Sequence, residues 1–149
     1  MTRRFLSISV IILSLLVISI AWYAFSTQNQ APLQTYTATI NRACAPWDGS
    51  AFTVSIPYDS ISTVTISIWQ SPEIRVPVTF SFPDETGRVG FAYTLPSLDP
   101  LEQLSGKVTF WRVDEEGPVE GQFDLITDTG EHFNGKFIAE WGDEIIYCG

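Results

Sequence analysis

The chain's one histidine, His132, stands in "GQFDLITDTGEHFNGKFIAEW" (121–141), beside Glu131 and near Asp124 and Asp128. An imidazole with carboxylates close by is the raw material of general acid–base chemistry or of a metal site. The spacing supports neither. A calcium loop needs oxygen ligands alternating along an EF-hand pattern, which "DLITDTGEH" does not follow. A zinc set needs more ligands than one histidine and two cysteines supply. No Gly-x-Ser-x-Gly, Ser-x-x-Lys, His-Glu-x-x-His or phosphate-binding glycine loop occurs. Nothing among the acidic residues singles out a pair for glycoside hydrolysis. The sequence therefore predicts no catalytic residue, no metal and no cofactor, and a role other than catalysis.

The same stretch has a structural reading. Gly-x-Phe occurs twice, at Gly121–Phe123 and Gly135–Phe137. If Asp128-Thr129-Gly130 is a three-residue hairpin loop, Gly130 takes the left-handed position. Phe123 then faces Gly135, Gly121 faces Phe137, Leu125 faces Phe133, and each ring covers a glycine on the other strand. A one-residue slip would set Phe123 against Lys136 and bring a charge to the core face. In the favoured register Asp124, His132, Asn134 and Lys136 lie on the outer face. His132 is solvated there, facing Ile126, and Lys136 is diagonal to Asp124 as a surface ion pair.

Three tryptophans are better candidates for recognition. Trp47 lies in "CAPWDGSAF" beside Cys44, Trp69 ends an apolar alternation, and Trp111 is out of phase with Val108 and Phe110. Exposed indoles on a β-domain stack on sugar rings or anchor a protein partner. The competing role is packing, since a tryptophan beside a disulfide is a usual core element of sandwiches. Cys44 and Cys148, an even count with no other cysteine, are expected to form a disulfide in an oxidising compartment.

Period-two alternation positions all of these residues. Phe52, Val54 and Ile56; Val64, Ile66 and Ile68; Val76, Val78, Phe80 and Phe82; Val89, Phe91, Tyr93 and Leu95; Val108 and Phe110; Phe123 and Leu125; and Phe133 and Phe137 mark buried strand faces separated by turn signals. No stretch after 34 carries helical periodicity long enough for a βαβ unit. The expected fold is all-β, an antiparallel sandwich of eight or nine strands, with a small barrel as the alternative.

Residues 5–25, "FLSISVIILSLLVISIAWYAF", carry no charge and follow Arg3-Arg4. They are long enough for one transmembrane helix with a cytoplasmic stub at 1–4, a linker at 26–33 and an exported domain over 34–149. The rival reading is a signal peptide cleaved after a small-x-small site at 24–26. The chain has 17 acidic against 8 basic residues, a net −9. Such a charge disfavours nucleic acid as a partner. The expectation is a membrane-anchored extracytoplasmic module with a binding or structural role, contacting an envelope protein or a glycan. The alternatives are a secreted carbohydrate-binding or hydrolytic domain and an accessory subunit of a membrane complex.

Overall fold

A computed structural model describes residues 32–95, 103–114, 117–144 and 146–149. The expected span at 5–25 lies outside them. Among the described residues no helix is long and apolar enough to cross a membrane. The part from Leu33 onward is one compact unit.

It contains eight strands: β1 (Thr35–Cys44), β2 (Ser50–Pro57), β3 (Thr63–Ile68), β4 (Val78–Phe82), β5 (Gly90–Leu95), β6 (Gln103–Arg112), β7 (Val119–Ile126) and β8 (His132–Trp141). The expected sandwich is corrected to the alternative: seven strands close into a barrel in the order β6-β5-β3-β2-β1-β8-β7, with β7 returning to β6 and β4 added as an extra strand on β6. Closure depends on β1 pairing parallel with β8, Tyr36 opposite Phe137 and Ala38 opposite Ala139. A sandwich and a barrel show the same alternation along each strand, so only the pairing of first and last strands separates them.

The sheet coils at specific points. Gly106 (φ +141°) sits mid-strand in β6, where a β-carbon would stand 2.1 Å from the Asp124 carbonyl oxygen. Gly90 (φ +131°) opens β5, where a β-carbon would stand 1.9 Å from the Ser67 carbonyl oxygen. A bulge interrupts the β6–β7 register between Phe110 and Arg112. Bulges and glycine kinks are the devices that curve a sheet tightly enough to close.

The interior is filled by side chains, as a small barrel requires. Phe110 touches three rings edge to face: Phe52 at 5.7 Å, Phe80 at 5.9 Å and Phe137 at 5.6 Å between centroids. Phe137 continues to Phe123, and Phe123 to Tyr36. Edge-to-face contact is the favoured arrangement for such pairs.

The β7–β8 hairpin has the register expected from its sequence: Phe123 opposite Gly135, Gly121 opposite Phe137, Leu125 opposite Phe133 and Ile126 opposite His132. Gly130 takes φ +93° in the loop. Phe137 covers Gly121 as expected, its Cζ 2.5 Å from where a β-carbon would be. Over Gly135, however, lies Tyr36 from β1 rather than Phe123. The parallel β1–β8 pairing brings that ring in from the neighbouring strand. Beyond Trp141 the chain leaves the sheet, and Cys148 reaches back to Cys44 as the expected disulfide, with the two Cα atoms 5.5 Å apart.

Candidate functional site

One strand departs from the expected phase. In β5 the buried residues are Ala92, at 1 % exposure, and Thr94, at 8 %. Phe91, Tyr93 and Leu95 therefore point outward, reversing the assignment made from hydrophobicity. On the neighbouring strands Val64 and Ile66 of β3 stand beside Thr94 and Ala92, and Leu104 of β6 stands beside Ala92. This phase places two large aromatic side chains on the outside.

Those two rings belong to a continuous surface array. Phe91 stacks on Tyr93 with centroids 5.4 Å apart. Trp69, just past the end of β3, meets Phe91 edge to face at 5.6 Å. Trp47 meets Trp69 edge to face at 5.7 Å. The backbone fixes each of them. Trp69 N–H donates to the Val89 carbonyl at 2.8 Å, continuing the β3–β5 ladder by one residue. Trp47 sits in a tight loop closed by Ala45 N–H to the Gly49 carbonyl and Asp48 N–H to the Ala45 carbonyl. Asp48 takes φ 60° there, a conformation aspartate tolerates. Gly49 lies flat against the indole, since a β-carbon would stand 2.8 Å from Trp47 Nε1. Trp47 keeps 52 % of its surface exposed.

Beside this ladder the barrel wall has a seam. On one edge of β6, β4 pairs from Val78–Phe110 to Phe82–Gly106, and β5 takes over at Ala92–Leu104. Residues 83–91 occupy the interval that Ser105 alone spans on β6. The interruption leaves a cleft of about 460 Å³. Its floor is the core itself (Phe82, Ala92, Leu104), Trp69 and Phe91 flank it, and Asp84, Gln103 and Ser105 supply polar groups. Gly87 and Gly90 at its margin have no side chain to fill it. Asp84 organises the excursion: Oδ2 accepts from the Thr86 hydroxyl and from Arg88 N–H. These bonds, the Thr86 hydroxyl foremost, hold its carboxyl below the usual carboxylate range. Arg88 is not among the residues lining this cleft and lines a separate hollow with Trp47.

Of the three tryptophans singled out by sequence, the structure joins Trp47 and Trp69. Trp111 belongs to another surface, the outer face of β6, where its indole N–H donates to Glu120 Oε2 at 3.3 Å. Arg112 pairs with the same carboxylate at 3.3 Å. Sequence reasoning missed Phe91, Tyr93, Asp84 and Gln103. Ala92 and Thr94 were the available signal, because small residues alternating with aromatics fit a crowded interior as well as a solvated face.

The stretch around His132 is corrected in one respect. His132 is not merely solvated: its Nε2 lies 2.5 Å from Asp124 Oδ1, and Asn134 Nδ2 approaches Nδ1 at 3.3 Å. Asp124 thus pairs diagonally with His132 and not, as expected, with Lys136. Both partners are more than half exposed, at 52 % and 73 % of their side chains, so the pair contributes little. Among the described residues no group of three His, Cys, Asp or Glu is placed to hold a metal ion.

Comparison with family models, with characterised proteins and with solved structures finds no match to this chain.

Proposed function

We propose that the chain is an exported, membrane-anchored binding module, and that its ligand is a glycan laid along the Trp47–Trp69–Phe91–Tyr93 ladder. The observation that carries this reading is the inverted strand β5. Turning Phe91 and Tyr93 outward forgoes burial that a swap with Ala92 and Thr94 would place inside, and the two rings extend the surface begun by the tryptophans. Trp47 is exposed and Trp69, Phe91 and Tyr93 are half-buried, and a contiguous apolar surface rimmed by polar groups is a mark of interaction sites. The rings meet edge to face at Trp47–Trp69 and Trp69–Phe91, and their part-exposed faces offer separate stacking surfaces for the C–H faces of pyranose units, whose hydroxyls then reach the polar rim. The uncharged 5–25 segment after Arg3-Arg4 supports an anchor that leaves the remainder outside the cytoplasm. The acidic balance fits a neutral polymer better than a polyanion.

The test is binding of the full chain, kept in detergent, to an array of neutral and acetylated oligosaccharides. Trp47→Ala, Trp69→Ala and Phe91→Ala are each expected to weaken binding about tenfold or more, the effect of removing a stacked aromatic anchor. Binding that survives all three substitutions, or no binding by the parent chain, would sink the glycan reading. Intact mass of the exported protein decides between anchor and cleaved signal.

A further inference from the structure

We infer that the barrel docks by its entry rim on the surface of a phospholipid bilayer, with Leu33, Ile61, Leu95 and Ile126 reaching among the headgroups. This rests on the membrane-anchor half of the reading above and is independent of the glycan half.

Topology collects these four residues. The chain enters β1 at Thr35, two residues after Leu33. Antiparallel pairing then returns it to the same rim at the β2–β3 turn, at the end of β5 and at the end of β7. Ile61 stands in that turn, Leu95 closes β5 and Ile126 closes β7. All four side chains are exposed. They are spread around the ring of strands, which suits a planar partner; a peptide groove would need them side by side.

Ile61, 75 % exposed, is the foremost of them. Asp59 Oδ1 accepts from Ile61 N–H at 2.7 Å and from Ser62 N–H at 2.6 Å. The Ser62 carbonyl accepts from Tyr58 N–H at 2.9 Å. The turn is thus fixed before any partner arrives, with an apolar side chain at its tip and little ordering left to do on contact. Such a tip gains by leaving water for an apolar medium, and the boundary between headgroups and acyl chains is one.

The sequence indicates which medium lies near. The uncharged run 5–25 ends eight residue steps before Leu33. At no more than about 3.6 Å per step, Leu33 stays within roughly 30 Å of the end of that run. The opposite rim also exposes apolar groups, Trp47 and Tyr147 among them, but the chain reaches it only after the ten residues of β1. The two turns of the entry rim, 58–62 and 127–131, carry Asp59, Asp128 and Glu131 and neither lysine nor arginine. Attraction to anionic headgroups therefore plays no part: the contact is apolar and persists at high salt.

Photo-crosslinking of the full chain in phosphatidylcholine vesicles tests this. p-Benzoylphenylalanine replaces Ile61, Ile126 or Tyr147, the last an 88 % exposed residue beside Cys148 at the opposite rim. Exposure alone would favour labelling at 147. Docking predicts instead at least about fivefold more lipid adduct at 61 and 126 than at 147, at low and high salt alike. Equal yields at all three positions, or a yield at 61 that falls away at high salt, overturn the inference. Adducts from 61 to residues 5–25 of the same chain overturn it too, giving the rim a protein cover. No lipid adduct at 61, in a chain that stays in the vesicles through alkaline extraction, overturns the inference and leaves the anchor reading standing. Loss of the chain from the vesicles, with an intact mass showing cleavage at the 24–26 site, overturns both. Ile61→Asp, combined with the probe at 126, changes one exposed side chain and is expected to cut the adduct at 126 about threefold or more. An undiminished yield there, with the thermal transition unchanged, overturns the joint docking of the tips.

Discussion

Tyr36 lies over Gly135: the ring's Cε2 stands 2.5 Å from the place a β-carbon at 135 would take. The phenol also stacks on Tyr58 at 5.1 Å. One ring thus seals the parallel β1–β8 seam that closes the barrel. Replacing it with alanine is expected to cost about 3–5 kcal/mol, the range for losing a buried aromatic, while Tyr36→Phe keeps the cover and costs far less. Chemical denaturation of both variants measures the difference.

The same phenol sets an alkaline limit. Burial first, and then the hydrogen bond and charge of Tyr58, push its pKa up from 10.0 to about 12. The folded chain therefore holds this proton in a window where the unfolded chain has released it. The associated stability is complete below pH 10.0 and is lost as pH rises through about 12. An ultraviolet absorbance titration should show one late-titrating phenol that Tyr36→Phe abolishes, and the variant should lose part of the alkaline fall in stability.

Gly90 and Gly106 admit no side chain. Both occupy the positive-φ region, and an added β-carbon would meet a carbonyl oxygen of the adjacent strand at 1.9 Å and 2.1 Å. Alanine at either position is expected to destabilise by about 3 kcal/mol or more, combining backbone strain with an unrelievable clash. Gly130→Ala supplies the contrast: φ is +93° there, but nothing lies within 4 Å of the added carbon. Its cost is limited to conformational strain, and parallel thermal melts rank the three.

The Cys44–Cys148 bridge spans a sequence separation of 104 residues. The chain-entropy treatment assigns a loop of that size about 4–5 kcal/mol. Reduction, or Cys44→Ser with Cys148→Ser, should lower the denaturation midpoint accordingly. A midpoint unmoved by reductant would mean that the β1–β8 ladder alone holds the C-terminal end.

Phe91 and Phe110 are predicted to answer truncation in opposite ways. Phe110→Ala removes the hub of three interior ring contacts and should cost about 3–5 kcal/mol. Phe91→Ala removes an outward ring and should cost about 1 kcal/mol, within the range of surface aromatic pairs, while abolishing its share of ligand affinity. Melting and binding measured on the same two variants check both halves.

These particulars show what was legible in the residues. The β7–β8 hairpin was, down to each facing pair, because glycine at a left-handed turn and the cost of burying Lys136 leave one register. The Trp47–Trp69 meeting was half legible: both were named as recognition candidates against a competing packing role, but their proximity depends on the β2–β3 and β3–β5 pairings. The β5 phase was read backwards, because hydrophobicity ranks Phe91 and Tyr93 above Ala92 and Thr94, whereas the smaller pair is the buried one. Closure was illegible for a similar reason. Whether first and last strands pair is a property of accumulated twist, which local alternation does not encode.

The parallel β1–β8 pairing also sets the two ends of β1 on opposite rims of the barrel. With an odd number of strands in the ring, the chain enters at Thr35 on one rim and delivers Cys44 and Trp47 to the other, about 30 Å away along β1. The aromatic ladder starts at the rim that Trp47 occupies and runs down the outer wall through Trp69, Phe91 and Tyr93, so Thr35 and the first ring of the ladder stand at opposite rims of the barrel.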